Sequence, residues 1–224
     1  MERVNVPAAP PQTVRRVHCP SATGVKVVSW DVDGTLFSYA ELTRALIRLA
    51  PRKLRAGGWA EIRKDIRDVW KFHWLVERQR RQPGSRVIES ELEPFSSASD
   101  KEREALDLAL RQIGPPENVV QLLETLAAAG IRQVALSDFE CRYKLRALGL
   151  ERYFDMSYSC RSLGFWKPSP VPLQHIQRIY GIRPHEHLHI GDRLDADQEA
   201  CARNGCRSAR PTLCMSSLRA IIRT

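Results

Sequence analysis

The sequence predicts an α/β protein: a doubly wound parallel sheet with an all-helical segment inserted after the first strand. Three observations predict it. An apolar run at Val25–Trp30 ends abruptly in Asp-Val-Asp-Gly-Thr-Leu, the pattern of a buried strand running into a turn. From residue 114 onward, short apolar runs alternate with amphipathic stretches, each stopped by a glycine, as in a chain of βα units. Between these two regions the apolar residues keep a helical period and no strand pattern appears.

The first strand carries the main chemical signal. Val25, Val27, Val28 and Trp30 are β-branched or aromatic, and Gly34 marks the turn that follows. Asp31 and Asp33 therefore sit at the C-terminal edge of a strand, where ligands bind in open α/β sheets. Two carboxylates so close repel unless a cation lies between them, and Mg²⁺, a hard ion with oxygen ligands, meets that need. Taken alone, the pair is equally compatible with an acidic turn after a buried strand.

The helical segment begins with Leu42, Ala45, Leu46 and Leu49 at helical spacing, and Ala56-Gly57-Gly58 breaks it. Trp59–Arg81 resumes as an amphipathic helix whose apolar face includes Trp59, Trp70, Phe72 and Val76; Trp59, Trp70, Phe72 and Trp74 read as core packing, and Pro83-Gly84 stops the helix. Glu91–Asp100 reads as a loop and Lys101–Ile113 as a further helix. Across residues 37–100, Lys and Arg outnumber Asp and Glu 13 to 9, which suits either an anionic substrate or a solvated outer face, the latter being the commoner reason.

The alternating part runs as follows: helix 118–129, strand 131–137, helix 141–148, strand 154–159, helix 170–180, strand 187–190, helix 196–204 and strand 207–209. Three of its turns bear functional groups. Ser137 closes a strand, where its hydroxyl can meet a phosphate oxygen or cap a helix. Lys167 lies in Phe-Trp-Lys-Pro-Ser-Pro, a proline-framed loop that presents the ammonium rather than leaving it to wander. Gly191-Asp192 ends a strand, placing Asp192 to complete an oxygen-ligand site. Asp197 opens the next helix, where it orients a ligand or the lysine from behind, or serves the helix dipole. Asp195 is better read as a helix cap.

These four stretches, Asp31–Leu36, the strand ending in Ser137, Lys167-Pro168 and Gly191–Asp197, in this order resemble the haloacid dehalogenase superfamily. The resemblance covers residues 25–210 apart from the helical insert. It implies a core of residues 25–37 and 114–224 on a Rossmann-like sheet, with residues 38–113 forming a helical cap of the C1 type. It also implies a Mg²⁺-dependent phosphohydrolase acting on a small phosphorylated metabolite. Asp31 would be the nucleophile that forms an aspartyl-phosphate, and Asp33 the acid and base. Ser137, Asp138 and Lys167 would bind the substrate phosphate. Asp31, Asp192 and the backbone carbonyl of Asp33 would hold the metal, with Asp197 behind them. Two positions depart from the pattern. Ala196 stands where Asn is common, and Asp138 stands where Asn is frequent, adding a carboxylate beside the phosphate. A phosphomutase shares all four motifs. A non-catalytic binding module on the same fold would have lost one, and none is lost. Asp33 argues against dehalogenation.

Composition narrows the remaining classes. The 224 residues suit one α/β core with a small insert, and no apolar run is long enough for a transmembrane helix. A net charge of +9 favours anionic partners; the short arginine runs do not indicate nucleic acid. Residues 1–24 read as a flexible leader without a secretory signal. Six cysteines without a C-x-x-C pair suggest reduced thiols in a cytoplasmic protein. His185, His187 and His189 alternate, a pattern that suits zinc only if a fourth ligand joins them.

Overall fold

A computed structural model describes residues 24–54 and 59–211. Five strands form one parallel sheet in the order β3-β2-β1-β4-β5, with β1 Val27–Trp30, β2 Arg132–Ser137, β3 Met156–Ser159, β4 His187–Ile190 and β5 Arg207–Ala209. β1 is central: it pairs with β2 and β4, and all four of its residues are buried. A strand covered on both faces needs apolar side chains on both, which is why its sequence runs nearly without polar residues.

Eight α-helices lie among the described residues. Four fall between β1 and the sheet's second strand before the alternation begins: α1 Tyr39–Leu54, α2 Trp59–Arg81, α3 Glu89–Leu92 and α4 Ser96–Ile113. The others are α5 Glu117–Ala128, α6 Arg142–Ala147, α7 Val171–Tyr180 and α8 Glu199–Asn204. One sheet face, with Val28, Trp30, Ala135, Leu188 and Ile190, packs on Leu122, Leu123 and Leu126 of α5 and Leu145 of α6. The opposite face, with Val27, Val134 and Leu136, packs on Leu173 and Ile176 of α7 and Ala200 and Cys201 of α8. Helices on both faces make the sheet doubly wound, as expected.

The inserted helices differ from expectation in two places. The stretch read as a loop at 91–100 is largely helical: α3 runs through a 3₁₀ turn, Glu93–Phe95, directly into α4. That 3₁₀ turn accommodates Pro94, because proline is tolerated in a first turn where its missing N–H has no partner to lose. Trp70 and Trp74 are 73% and 61% exposed, so they are not core residues. The buried stripe of α2 is instead Phe72 and Val76, which pack with Leu92 and with Trp166 from the core loop. The leader, Cys19, Cys214 and the side chain of Trp59 lie outside the described residues. Cys141, Cys160, Cys201 and Cys206 are unpaired thiols.

Candidate active site

The carboxyl ends of β1, β2 and β4 converge on one cavity of about 620 Å³, roofed by α1, α2 and α4 and lined by Asp31, Asp33, Asp138, Lys167 and Asp197 among others. Parallel register brings them together: Trp30 pairs with Ala135 on one side and Ile190 on the other, so the residues that follow each strand emerge side by side. Gly34 turns the chain back with φ +86°, and a Cβ there would press on Tyr39 and the Asp192 carboxylate at 2.5 and 2.6 Å. The turn must be glycine both for its conformation and for its space.

Asp31 is buried. Carboxylate oxygens of Asp31, Asp192 and Asp197 lie within 4.8 Å of one another. The Thr35 hydroxyl sits 3.2 Å from Asp31 Oδ2 and 3.4 Å from Asp192 Oδ1. Three acids in so small a space, all oxygen donors, fit a hard divalent cation. Asp31's protonation supports the fit. Burial raises its pKa, Lys167 pulls it back, Asp197 and Asp33 push it up again, and it rests at about 8. Asp192 is also raised, by burial and by Asp197. A cation between these groups would relieve both.

Lys167 is 1% exposed, and its ammonium donates to Asp31 Oδ1 at 2.5 Å and Asp197 Oδ1 at 2.6 Å. Against the cost of burial, Asp197 and Asp31 hold it charged, its pKa well above the usual lysine value. The loop that presents it is anchored to α2 and to the turn after it: Trp166 Nε1 donates to Gln79 Oε1 at 2.9 Å and Trp166 N to Ser85 O at 2.8 Å. Asp197 sits in a π-helical turn, Leu194–Gln198, a geometry often found at functional sites. Gly191 leaves room for it, since a Cβ there would overlap the Asp197 carboxylate.

Asp33 faces the other side of the cavity. Lys144 from α6 donates to both its oxygens, at 2.5 and 2.7 Å, and Ser137 Oγ donates to Oδ2 at 3.0 Å. Burial alone would raise Asp33, but the Lys144 charge and these hydrogen bonds overcome it and hold the carboxyl below its usual range. Asp138, the departure from the expected Asn, is paired: Arg80 from α2 donates to its Oδ2. Arg80 also donates to Glu77 Oε1 at 2.6 Å, and Glu77 accepts from Arg193 at 2.9 Å. One charged network therefore ties α2 to the loops after β2 and β4. Among the described residues, Arg80 Nε and Asp138 Oδ1 have no hydrogen-bond partner.

Every residue singled out in the sequence, Asp31, Asp33, Ser137, Asp138, Lys167, Asp192 and Asp197, thus lies in one site. Two things were not foreseen: Ser137 bonds to Asp33, and Lys144 and Arg80 complete the charge balance. Both had a signal. Lys144 falls on the apolar stripe of its helix, Cys141, Leu145 and Leu148, and Arg80 extends the stripe Phe72, Val76 by one turn. Of the three alternating histidines, His187 and His189 are buried in β4 and His185 is exposed outside it; among the described residues they belong to no metal-ligating group.

A family model described as haloacid dehalogenase-like hydrolase matches residues 25–205. A glyceraldehyde 3-phosphate phosphatase of Methanopyrus kandleri is 24% identical, covering 83% of each chain. A phosphoglycolate phosphatase of Neisseria gonorrhoeae is 28% identical over 84% of this chain and 80% of its own. One from Thiobacillus denitrificans is 32% identical, but the match spans 45% of this chain and only 44% of that protein. Among solved structures, the L-2-haloacid dehalogenase of Xanthobacter autotrophicus aligns with a TM-score of 0.58 at 21% identity, covering 87% of this chain and 81% of that one. A HAD phosphatase from Thermococcus onnurineus aligns at 0.57 and 22%, covering 82% and 85%. Likeness at this identity is likeness of fold. Among the described residues no helix is long and apolar enough to cross a membrane.

Proposed function

The chain belongs to the haloacid dehalogenase-like hydrolase family, and within it we propose a Mg²⁺-dependent phosphatase of small phosphorylated metabolites that works through an aspartyl-phosphate on Asp31. The observation that carries the reading is the grouping of Asp31, Asp192 and Asp197 around the Lys167 ammonium at the floor of the cavity. The names of the two relatives matched over about four-fifths of their length, both phosphatases of small phosphate esters, agree with it.

Asp31 and Asp192 are the side chains that would hold Mg²⁺, with the backbone carbonyl of Asp33, and Asp197 stands behind them on Lys167. When bound, the ion supplies charge neutralisation between nucleophile and phosphate. The chain's own residues do the rest. Asp31 attacks phosphorus, and splitting hydrolysis through this carboxylate lowers each barrier. Lys167, a fixed cation in a dry site, binds the transferring oxygens with Ser137. Asp33 donates a proton to the leaving oxygen and later takes one from the attacking water. Paired with Lys144 it is ionised, which suits the second half. The first half requires Asp33 to be protonated beforehand: as the substrate phosphate draws Lys144 toward itself, the loosened carboxylate takes up a proton from solvent and then gives it to the leaving oxygen. Residues 38–113 serve as the cap that excludes water from the site.

Hydrolysis of a generic aryl phosphate, with and without Mg²⁺, tests the reading. Turnover that depends on Mg²⁺, releases inorganic phosphate and disappears in a folded Asp31→Asn variant is expected. Turnover retained in that variant contradicts it. Phosphate returned to an acceptor substrate rather than to water would mark a mutase.

A further inference from the structure

A second polar feature lies behind the site, inside the sheet. β1 and β4 each place alternate side chains against α7 and α8, and that face is otherwise lined by Val27, Val134, Leu136, Leu173, Ile176, Ala200 and Cys201. Ser29, His187 and His189 occupy it too, each 0% exposed. Parallel register sets Ser29 directly beside His189. Buried polar groups on such a face are costly unless every one is bonded.

They are bonded, in one continuous line. Gln177 Nε2 lies 3.3 Å from His187 Nδ1, His187 Nε2 2.8 Å from Ser29 Oγ, Ser29 Oγ 2.7 Å from His189 Nδ1, and His189 Nε2 3.1 Å from Asp197 Oδ1. Asp197 Oδ1 then accepts from Lys167 at 2.6 Å, and Lys167 donates to Asp31. Proton counting gives the line one direction. A carboxylate only accepts, so His189 Nε2 carries hydrogen and the neutral ring leaves Nδ1 bare. Nδ1 accepts the single Ser29 proton. Ser29 Oγ accepts in turn from His187 Nε2–H, and the bare His187 Nδ1 accepts from the Gln177 amide. A cationic His189 would reverse the line: the Ser29 proton would pass to His187 Nε2, and His187 Nδ1–H would then face the Gln177 amide donor.

We propose that Ser29, His187 and His189 are positioning residues for the hydrolytic site: a buried hydrogen-bond relay that fixes the Asp197 carboxylate and, through it, the Lys167 ammonium. Asp197 is held at three points. His189 and Lys167 share Oδ1, and the Arg193 backbone N–H donates to Oδ2 at 3.1 Å. Without His189, Oδ1 keeps Lys167 alone, and carboxylate and ammonium can turn together away from Asp31. An apolar residue at 189 would fill β4 equally well, so the imidazole is there for what it bonds.

The kinetic test rests on the phosphatase reading, while a spectroscopic one does not. In ¹⁵N NMR of the unmutated protein at neutral pH, His187 and His189 should both appear as neutral Nε2–H tautomers. His189 as the Nδ1–H tautomer, or as imidazolium, overturns the relay. For aryl phosphate hydrolysis, His189→Leu should lower kcat about 10- to 100-fold with KM changed by less than about threefold. His189→Gln, which keeps an amide donor near the Nε2 position, should recover to within about fivefold of the unmutated enzyme. A folded His189→Leu protein with full kcat, or a Gln variant no better than Leu, overturns the proposal. Should neither variant fold, the tautomers decide. An unmutated protein that hydrolyses no phosphate ester with Mg²⁺ present overturns the phosphatase reading instead, and the relay is again judged by the tautomers.

Discussion

Lys144 grips both carboxylate oxygens of Asp33, at 2.5 and 2.7 Å, from a helix whose neighbouring positions are apolar. The pair holds the acid and base of the proposed reaction ionised. Removing the ammonium leaves burial to act unopposed and raises the Asp33 pKa. In Lys144→Met the limb of the pH–rate profile that Asp33 sets should move to higher pH by about one unit or more. A superimposable profile would show that Lys144 does not tune Asp33.

Arg80 and Asp138 join the inserted helices to the loop after β2, and both are 9% exposed. Losing one partner strands a buried charge. Arg80→Met should cost about 3 kcal/mol of stability, measured by denaturant midpoint. Adding Asp138→Asn, which replaces the carboxylate by a neutral amide, should return most of it. Strictly additive losses in the double variant would mean the pair is not coupled.

Mg²⁺ binding should be linked to protons. With Asp31 at about 8, the metal-free site is largely protonated there at pH 6.5, and a cation needs the carboxylate ionised. Calorimetry in buffers of different ionisation enthalpy should find close to one proton released at pH 6.5 and almost none at pH 9. No release at pH 6.5 would remove the metal from Asp31.

His187 should make the fold acid-sensitive. Burial, and then His189, push its pKa down from 6.5 to about 3. The folded state therefore favours the neutral ring. Its contribution is complete above pH 6.5 and is lost as pH falls from 6.5 toward 3, by up to about 4 kcal/mol. His187→Gln, which cannot take up that proton, should flatten the fall in unfolding midpoint across this range. Parallel curves would contradict the assignment.

The fold and most of the site were legible because they rest on local patterns. Strand, acidic turn and glycine occur within a few residues at Asp31–Gly34 and again at Gly191–Asp197, and backbone register then brings such turns together wherever the strands lie. Lys144 and Arg80 were not legible as site residues. Their partners are 111 and 58 positions away, and a charged residue on an apolar stripe looks like a surface residue until its partner is placed. Trp70 and Trp74 failed for the opposite reason: a helical period marks a face, but only packing decides which face is covered. The alternating histidines had no readable role, because spacing alone does not show that Ser29 stands between His187 and His189.

The central claim is a phosphoryl group carried on Asp31. Rapid acid quench of the enzyme with Mg²⁺ and an aryl phosphate, followed by peptide mass analysis, tests it most directly. The account predicts a phosphoryl adduct on the peptide containing Asp31, formed and lost within a turnover and absent in Asp31→Asn. Steady hydrolysis with no adduct at any quench time, or an adduct on another residue, would contradict it.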